Sequence, residues 1–307
     1  MNKNTLNLLL FLFLILQPIY SQIKTIDIDS ELQGDLYIGN NDNRQLAIII
    51  AGSGPTNRNG NQPPTLMSNA YKYLAISLQN EGINVFTYDK RVIAKIKNNT
   101  IANYTPVFND NAADLNLIID YFKDQFPEII LIGHSEGSLV ANLSANDKKE
   151  VTHFIALQGP GETIDNILLE QLVKQMPFYK EQIQEIHNEL KKGNIVTENI
   201  PPLLQSLYNE QSQPYLISWI QIDPAIEIKK LKIPVLIIQG EKDLQVNINQ
   251  GNILKEALPN AELITIKGMN HVMKKVEKDE ENFATYNKPD LPLHEELVPT
   301  IVNFIKK

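Results

Sequence analysis

No cysteine occurs among the 307 residues. That absence excludes disulfides, a thiol nucleophile, a lipid anchor attached through cysteine and any thiolate metal site. Basic residues are in deficit. Twenty-eight Lys and Arg stand against 36 Asp and Glu, giving a net charge of −8 and an isoelectric point near 5.2. An acidic chain without a Lys/Arg stripe interleaved with aromatics presents no nucleic-acid footprint. No group of His, Asp and Glu has metal-ligand spacing, so neither a metal nor a cofactor is expected. No repeat or low-complexity linker divides the chain.

What is present begins with a targeting pattern. Lys3 precedes an apolar run, Leu6 to Leu16, interrupted only by Asn7; Pro18 and the small Ser21 follow. This reads as a signal peptide over residues 1–21, cut before Gln22, and predicts an exported protein, periplasmic or secreted. The run is short for a bilayer span, so no stable membrane insertion is expected after cleavage; an uncleaved anchor is the alternative. An exported chain without cysteine must draw its stability from its core.

From residue 22 onward, strand-like and helix-like patterns alternate. Ile23–Ile28 and Asp35–Ile38 alternate apolar and polar residues, as half-buried antiparallel strands do. Leu46–Ile50, Asn84–Tyr88, Glu128–Ile132, Phe154–Leu157, Val235–Ile238 and Glu262–Ile266 read as strands of a parallel sheet, most of them buried on both faces. Helices are expected over Leu66–Gln79, Asn109–Phe122, Leu139–Ser144 and Glu295–Ile305. The fold class is therefore α/β: a mostly parallel sheet covered by helices on both faces. Between Gly161 and Pro224 only helical patterns occur, at Ile164–Met176 and Tyr179–Lys191, with Leu203–Tyr208 and Tyr215–Trp219 as weaker ones. The domain reading is a core formed by residues 22–160 and 225–307, with 161–224 as a helical lid insertion over the strand ends, where such sheets bind ligands.

The chemistry concentrates at Gly133-His134-Ser135-Glu136-Gly137. This G-x-S-x-G run follows a strand and opens a helix, the context of a nucleophile elbow. The turn lifts the Ser135 hydroxyl to the sheet edge, and the helix N-terminus favours a developing oxyanion. A serine needs a base, and the base an orienting acid, in the chain order Ser, Asp or Glu, His. Of the five histidines, His134 and His153 precede any candidate acid. His187 reads as a solvated helix position and His294 as a surface residue near a helix start. His271, in a loop just after the last predicted strand, is the candidate base. Asp243, a few residues beyond the Val235–Ile238 strand, is the candidate acid, and Glu241 competes with it. Oxyanion donors are expected from the backbone of Glu136 and of Ser53 in the Gly52-Ser53-Gly54-Pro55 loop. That loop lacks the remaining residues of a dinucleotide or P-loop motif.

These residues resemble the α/β-hydrolase superfamily, in the group of bacterial exported carboxylesterases related to serine aminopeptidase-like and dienelactone hydrolase-like enzymes. The resemblance runs from about Leu46 to the C-terminus. It rests on Ala51 to Gly60 (Ala-Gly-Ser-Gly-Pro-Thr-Asn-Arg-Asn-Gly), Tyr88-Asp89-Lys90-Arg91, the Ser135 motif, Ile233 to Asp243, and Asn270-His271. It implies an eight-stranded mixed sheet, a helical lid and hydrolysis of short to medium acyl esters. By it Ser135 is the nucleophile, His271 the base and Asp243 the acid, with Ser53 and Glu136 as oxyanion donors. One departure stands out. Where the family continues after Tyr-Asp-Lys-Arg with two glycines in a Gly-x-Gly-x-Ser pattern, this chain has Val92 and Ala94. If that loop required positive φ, Val92 would be strained, so the loop must be rebuilt.

The expected function is ester hydrolysis through an acyl-enzyme, acting on a small-molecule acyl ester. An exopeptidase or thioesterase on the same residues is the first rival, and a non-catalytic binder on this fold the second. Acyl chain, alcohol and oligomeric state are not legible in the sequence.

Overall fold

The computed structural model describes residues 22–40 and 44–307. The expected signal peptide, residues 1–21, lies outside the described residues. Among the described residues, no helix is long and apolar enough to cross a membrane.

Ten strands occur: β1 (Gln22–Asp27), β2 (Gln33–Ile38), β3 (Gln45–Ile50), β4 (Asn61–Gln62), β5 (Leu66–Met67), β6 (Asn84–Tyr88), β7 (Glu128–His134), β8 (Val151–Leu157), β9 (Val235–Gly240) and β10 (Glu262–Ile266). Eight of them form one sheet, in the order β1-β2-β6-β3-β7-β8-β9-β10, while β4 and β5 pair alone. In the large sheet β1, β2 and β6 pair antiparallel, and every other pairing is parallel. The mixed eight-stranded α/β architecture is the one the sequence predicts.

The central parallel strands β3 and β7 are largely apolar because both faces are covered. On β3, Leu46, Ile48 and Ile50 face one core and Ala47 and Ile49 the other; on β7, Ile129 and Leu131 oppose Ile130 and Ile132. This two-residue alternation is the pleat, with apolar side chains on both sides. The first core is closed by α3 (Phe108–Phe122) and α4 (Glu136–Asp147), through Leu115, Ile118, Leu139 and Val140. The second is closed by α1 (Ala70–Asn80) and α10 (Leu297–Ile305), through Leu74, Leu78, Ile301 and Phe304. Each fully buried aliphatic side chain contributes about 1.5–3 kcal/mol, so the four of Ile129–Ile132 alone hold β7 firmly at the centre of the sheet.

Three local expectations are corrected. The helix read over Leu66–Gln79 starts only at Ala70. Leu66–Met67 pairs with Asn61–Gln62 instead, and Asn69 takes a left-handed conformation held by hydrogen bonds with Asn61. Leu203–Tyr208 is a helix only as a 3₁₀ turn at Pro202–Leu204. The segment carrying Val92 and Ala94 is a helix, α2 (Arg91–Lys97), and Val92 is not among the residues with positive φ. With Val92 and Ala94 inside this helix, the strain does not arise.

Between β8 and β9 come α5 (Ile164–Gln175), α6 (Lys180–Lys191), α7 (Gln213–Ile220) and the short α8 (Pro224–Ile228), with no strand among them. The sequence pattern did not suggest α9 (Ile248–Ala257), which joins β9 to β10.

Candidate active site

The ends of β3, β7, β8, β9 and β10 point the same way, since these strands are mutually parallel. The loops that follow them therefore meet at one edge of the sheet. Ser135 sits between β7 and α4 with φ 54° and ψ −124°. A non-glycine residue tolerates that conformation only where its surroundings impose it. Here its N–H bonds the Leu157 carbonyl of β8 at 3.0 Å, and its carbonyl accepts from Ser138 N–H at 2.9 Å. The flanking glycines follow from contact distances. A Cβ on Gly133 would lie 2.3 Å from the Gly137 carbonyl, and one on Gly137 would lie 2.4 Å from the Ile50 carbonyl.

Asp243 and His271 are brought together. Asp243 Oδ1 accepts the backbone N–H groups of Gln245 (2.8 Å) and Val246 (2.9 Å). Its other oxygen, Oδ2, lies 2.7 Å from His271 Nδ1, and both side chains are buried. Glu241 does not compete. It is exposed and accepts the Gly268 N–H at 3.0 Å, bracing the loop that carries His271. That loop is fixed further by Asn270, whose side chain bonds Asn282, Thr285 and the Lys274 N–H. Ser135, His271 and Ser53 line one cavity of about 240 Å³, together with Gln62, Gln245 and Tyr286.

A directional chain of hydrogen bonds runs beneath this cavity. The His271 carbonyl can only accept, so His134 Nε2, at 2.8 Å, carries a hydrogen. His134 Nδ1 then accepts from the Tyr71 hydroxyl at 2.8 Å, and Tyr71 Oη accepts the Gly52 N–H at 3.0 Å. The three loops bearing Ser53, Ser135 and His271 are thus joined through one buried tyrosine and one buried histidine. Desolvation, reinforced by the neighbouring His271, pushes His134 down to a pKa of about 3, so its ring is neutral and both nitrogens are committed. Gly52 N–H is thus engaged by Tyr71, while Ser53, the next residue, lines the cavity.

Glu136 opens α4, and its side chain is buried against Lys90 at 2.8 Å; Lys90 also bonds the Gly52 carbonyl at 3.2 Å. Its neighbours anchor other parts of the same edge. Asp89 bonds Arg58 at its backbone N–H (2.8 Å) and its guanidinium (2.9 Å), while Arg91 reaches Asp29 and Asp114. Desolvation pushes Asp89 up, but the Arg58 hydrogen bonds outweigh it and hold the carboxyl below its usual range. The Tyr88-Asp89-Lys90-Arg91 run is a set of three braces.

Two sequence readings of histidine are corrected. His187 is buried, not solvated: its Nε2 lies 2.7 Å from the Tyr208 hydroxyl, and desolvation pushes its pKa down to about 4. His294 is buried too, within 3.0 Å of the Lys267 carbonyl and accepting the Glu296 N–H. Tyr71 and the bracing role of His134 were not foreseen. Their partners are 63 and 137 residues apart in sequence, and no local pattern marks them. No group of three or more possible metal ligands occurs among the described residues.

Residues 66–217 match the family described as serine aminopeptidase, S33. That span includes the Ser135 elbow and ends before Asp243 and His271. Esterase EstD of Thermotoga maritima is 26% identical over 231 residues, which is 74% of this chain and 54% of that protein. The chain thus spans about half the length of this relative. Among solved structures, an esterase of Pyrococcus furiosus superposes with a TM-score of 0.58 at 19% identity, covering 94% of this chain and 91% of that one. Est1E of Butyrivibrio proteoclasticus gives 0.58 at 17% identity over 93% and 99%. A dienelactone hydrolase of Anabaena variabilis gives 0.55 at 15% over 93% and 97%.

Proposed function

We propose that this chain, which has the fold of the solved esterases it superposes on, is a serine hydrolase of the α/β-hydrolase superfamily that cleaves carboxylic esters with a Ser135-His271-Asp243 triad. The observation that carries this reading is the strained Ser135 turn sharing one cavity with a histidine whose Nδ1 is 2.7 Å from a buried carboxylate. Asp243 accepts the Nδ1–H of His271 and fixes the tautomer, leaving Nε2 as the acceptor. Nε2 takes the Ser135 proton as Oγ attacks the acyl carbon. The oxyanion forms at the N–H groups of Ser53 and Glu136, the latter at the N-terminus of α4. His271 returns the proton to the leaving alkoxide, and water repeats the cycle on the acyl-enzyme.

An ester is favoured over a peptide with a free amino terminus. A cationic terminus calls for a carboxylate at the site, and the cavity lining has none among the described residues. Glu170, one of the insertion carboxylates, is bonded to Lys174 and Asn247; Glu162 is bonded to Gln250. The insertion between β8 and β9 acts as a lid in this proposal. Export remains part of it, tested by N-terminal sequencing of secreted protein, which should begin at Gln22.

The decisive test is Ser135→Ala on a p-nitrophenyl ester, paired with a fluorophosphonate probe. The wild type should label at Ser135, and the variant should lose labelling and about 10³-fold or more of kcat while keeping its fold. Wild-type turnover by Ser135→Ala would sink the assignment.

A further inference from the structure

A second cavity, of about 540 Å³, lies on the other side of the Ser53–Pro55 loop. Its walls are Val92 and Ile96 of α2, Ile101, and Leu216 and Trp219 of α7. Ser53 borders both cavities, whereas Ser135 and His271 line only the smaller one. Glu136 lines the larger. We propose that the substrate is an ester with an extended apolar acyl chain and a compact alcohol, lying astride Ser53 with the acyl chain in the larger cavity. This rests on the triad proposed above.

The direction of the ester follows from the chemistry. Acyl transfer forms the Ser135 Oγ–acyl carbon bond and breaks the bond from that carbon to the alcohol oxygen. The alkoxide leaves with the proton from His271 Nε2, so the alcohol must lie on the His271 side. That side is the smaller cavity, with Gln62 and Gln245 among its polar walls. The acyl carbon sits at the donors Ser53 and Glu136, and its chain must leave away from His271. The larger cavity meets both donor residues and not His271.

The character of that recess fits hydrocarbon. Its charged groups neutralise each other, with Lys90 and Glu136 paired at 2.8 Å. Asn111 and Tyr215 are likewise bonded to each other at 2.7 Å. A carboxylate or a sugar entering there would find its partners already engaged, whereas an alkyl or aryl chain would displace water from apolar walls. The volume falls within the roughly 300–1,000 Å³ of small-molecule sites and exceeds what an acetyl group needs. Val92 and Ile96 reach the recess from one helix, α2.

Two isomeric esters test the orientation in full-length mature protein. Ethyl hexanoate and hexyl acetate contain the same atoms, so they differ only in which side carries the chain. Ethyl hexanoate should be the better substrate by at least about tenfold in kcat/KM, since each methylene buried on the acyl side is worth about fourfold. Ile96→Trp and Val92→Phe should narrow the recess and lower the p-nitrophenyl octanoate-to-acetate ratio by about tenfold or more. Ile96 is 46% exposed, so its replacement leaves the fold intact. Equal rates on the two isomers, a preference for hexyl acetate, or an unmoved ratio in both folded variants would overturn this inference while Ser135-dependent hydrolysis stood. A Ser135 that labels with no fluorophosphonate and turns over no ester would overturn the triad reading and this one with it.

Discussion

The two cavities that meet at Ser53 are held by different forces. Around the smaller one, position is set by backbone contact and directed hydrogen bonds: the Ser135 turn, Asp243 on two amides, and the Gly52–Tyr71–His134–His271 chain. Around the larger one, position is set mainly by apolar packing. Phe108 of α3 stacks on Trp219 of α7 with ring centroids 5.1 Å apart, and Tyr215 packs against the same ring at 5.7 Å. Directed bonds have one solution, while apolar packing tolerates many side chains of similar volume. Under the proposed function, the chemistry is therefore fixed on one side, and chain preference is adjustable on the other.

The largest effect is expected at Asp243. Asp243→Asn keeps the shape but holds His271 in the wrong tautomer, with Nε2 carrying the hydrogen. A loss of about 10⁴-fold in kcat, equally for short and long acyl chains, is expected on p-nitrophenyl esters. A loss confined to long chains would mean that the two sides are not separate.

Acid tests two buried histidines, one beneath the smaller cavity and one in the insertion. His134 lies under the smaller cavity, and His187 lies in the insertion against Tyr208. Both rings stay neutral in the folded chain, with pKa values lowered by desolvation to about 3 and about 4, while the unfolded chain protonates near 6.5. As pH falls below 6.5 the unfolded state binds more protons, so stability declines with falling pH. The decline continues until the folded rings themselves protonate. Between pH 6.5 and 4.5 each histidine should cost about 2–3 kcal/mol, read by urea unfolding at the two pH values. His134→Gln and His187→Gln should each flatten the pH dependence. If neither does, these rings are not the acid-sensitive groups.

Tyr71→Phe probes whether the hydrogen-bond chain positions the catalytic groups or only stabilises the fold. It removes the donor to His134 and the acceptor of Gly52 N–H. A fall in kcat of about tenfold with KM nearly unchanged is expected. A lower melting temperature with unchanged kcat would make the chain a structural brace alone.

The same contrast explains what the sequence revealed. Ser135, its two glycines, Asp243 and His271 are legible because their geometry admits few alternatives: a Cβ at 2.3 Å from a carbonyl cannot be accommodated elsewhere. The central parallel strands are legible because burial on both faces leaves continuous apolar runs, and the two antiparallel strands because one buried face leaves an alternating pattern. Tyr71, the commitment of His134 and the burial of His187 and His294 are not, since each depends on a partner brought close only by tertiary folding. Leu66–Gln79 misled for a related reason. Its first residues satisfy a helical pattern, but pairing with Asn61–Gln62 claims them first.

The smallest expected effect is the most specific to this chain. Val92→Gly with Ala94→Gly places two glycines in α2, just after Tyr88-Asp89-Lys90-Arg91. Glycine within α2 should cost about 1 kcal/mol of helix stability, seen as a fall in melting temperature of roughly 2–3 °C. The wall made by Val92 and Ile96 would then loosen, lowering the octanoate-to-acetate ratio by about two- to threefold. Lys90 lies just before α2 and holds both Glu136 and the Gly52 carbonyl, so a frayed helix has one route into the catalytic side. If acetate turnover falls as far as octanoate turnover, that route carries the effect, and α2 supports the oxyanion loop as much as it shapes the recess.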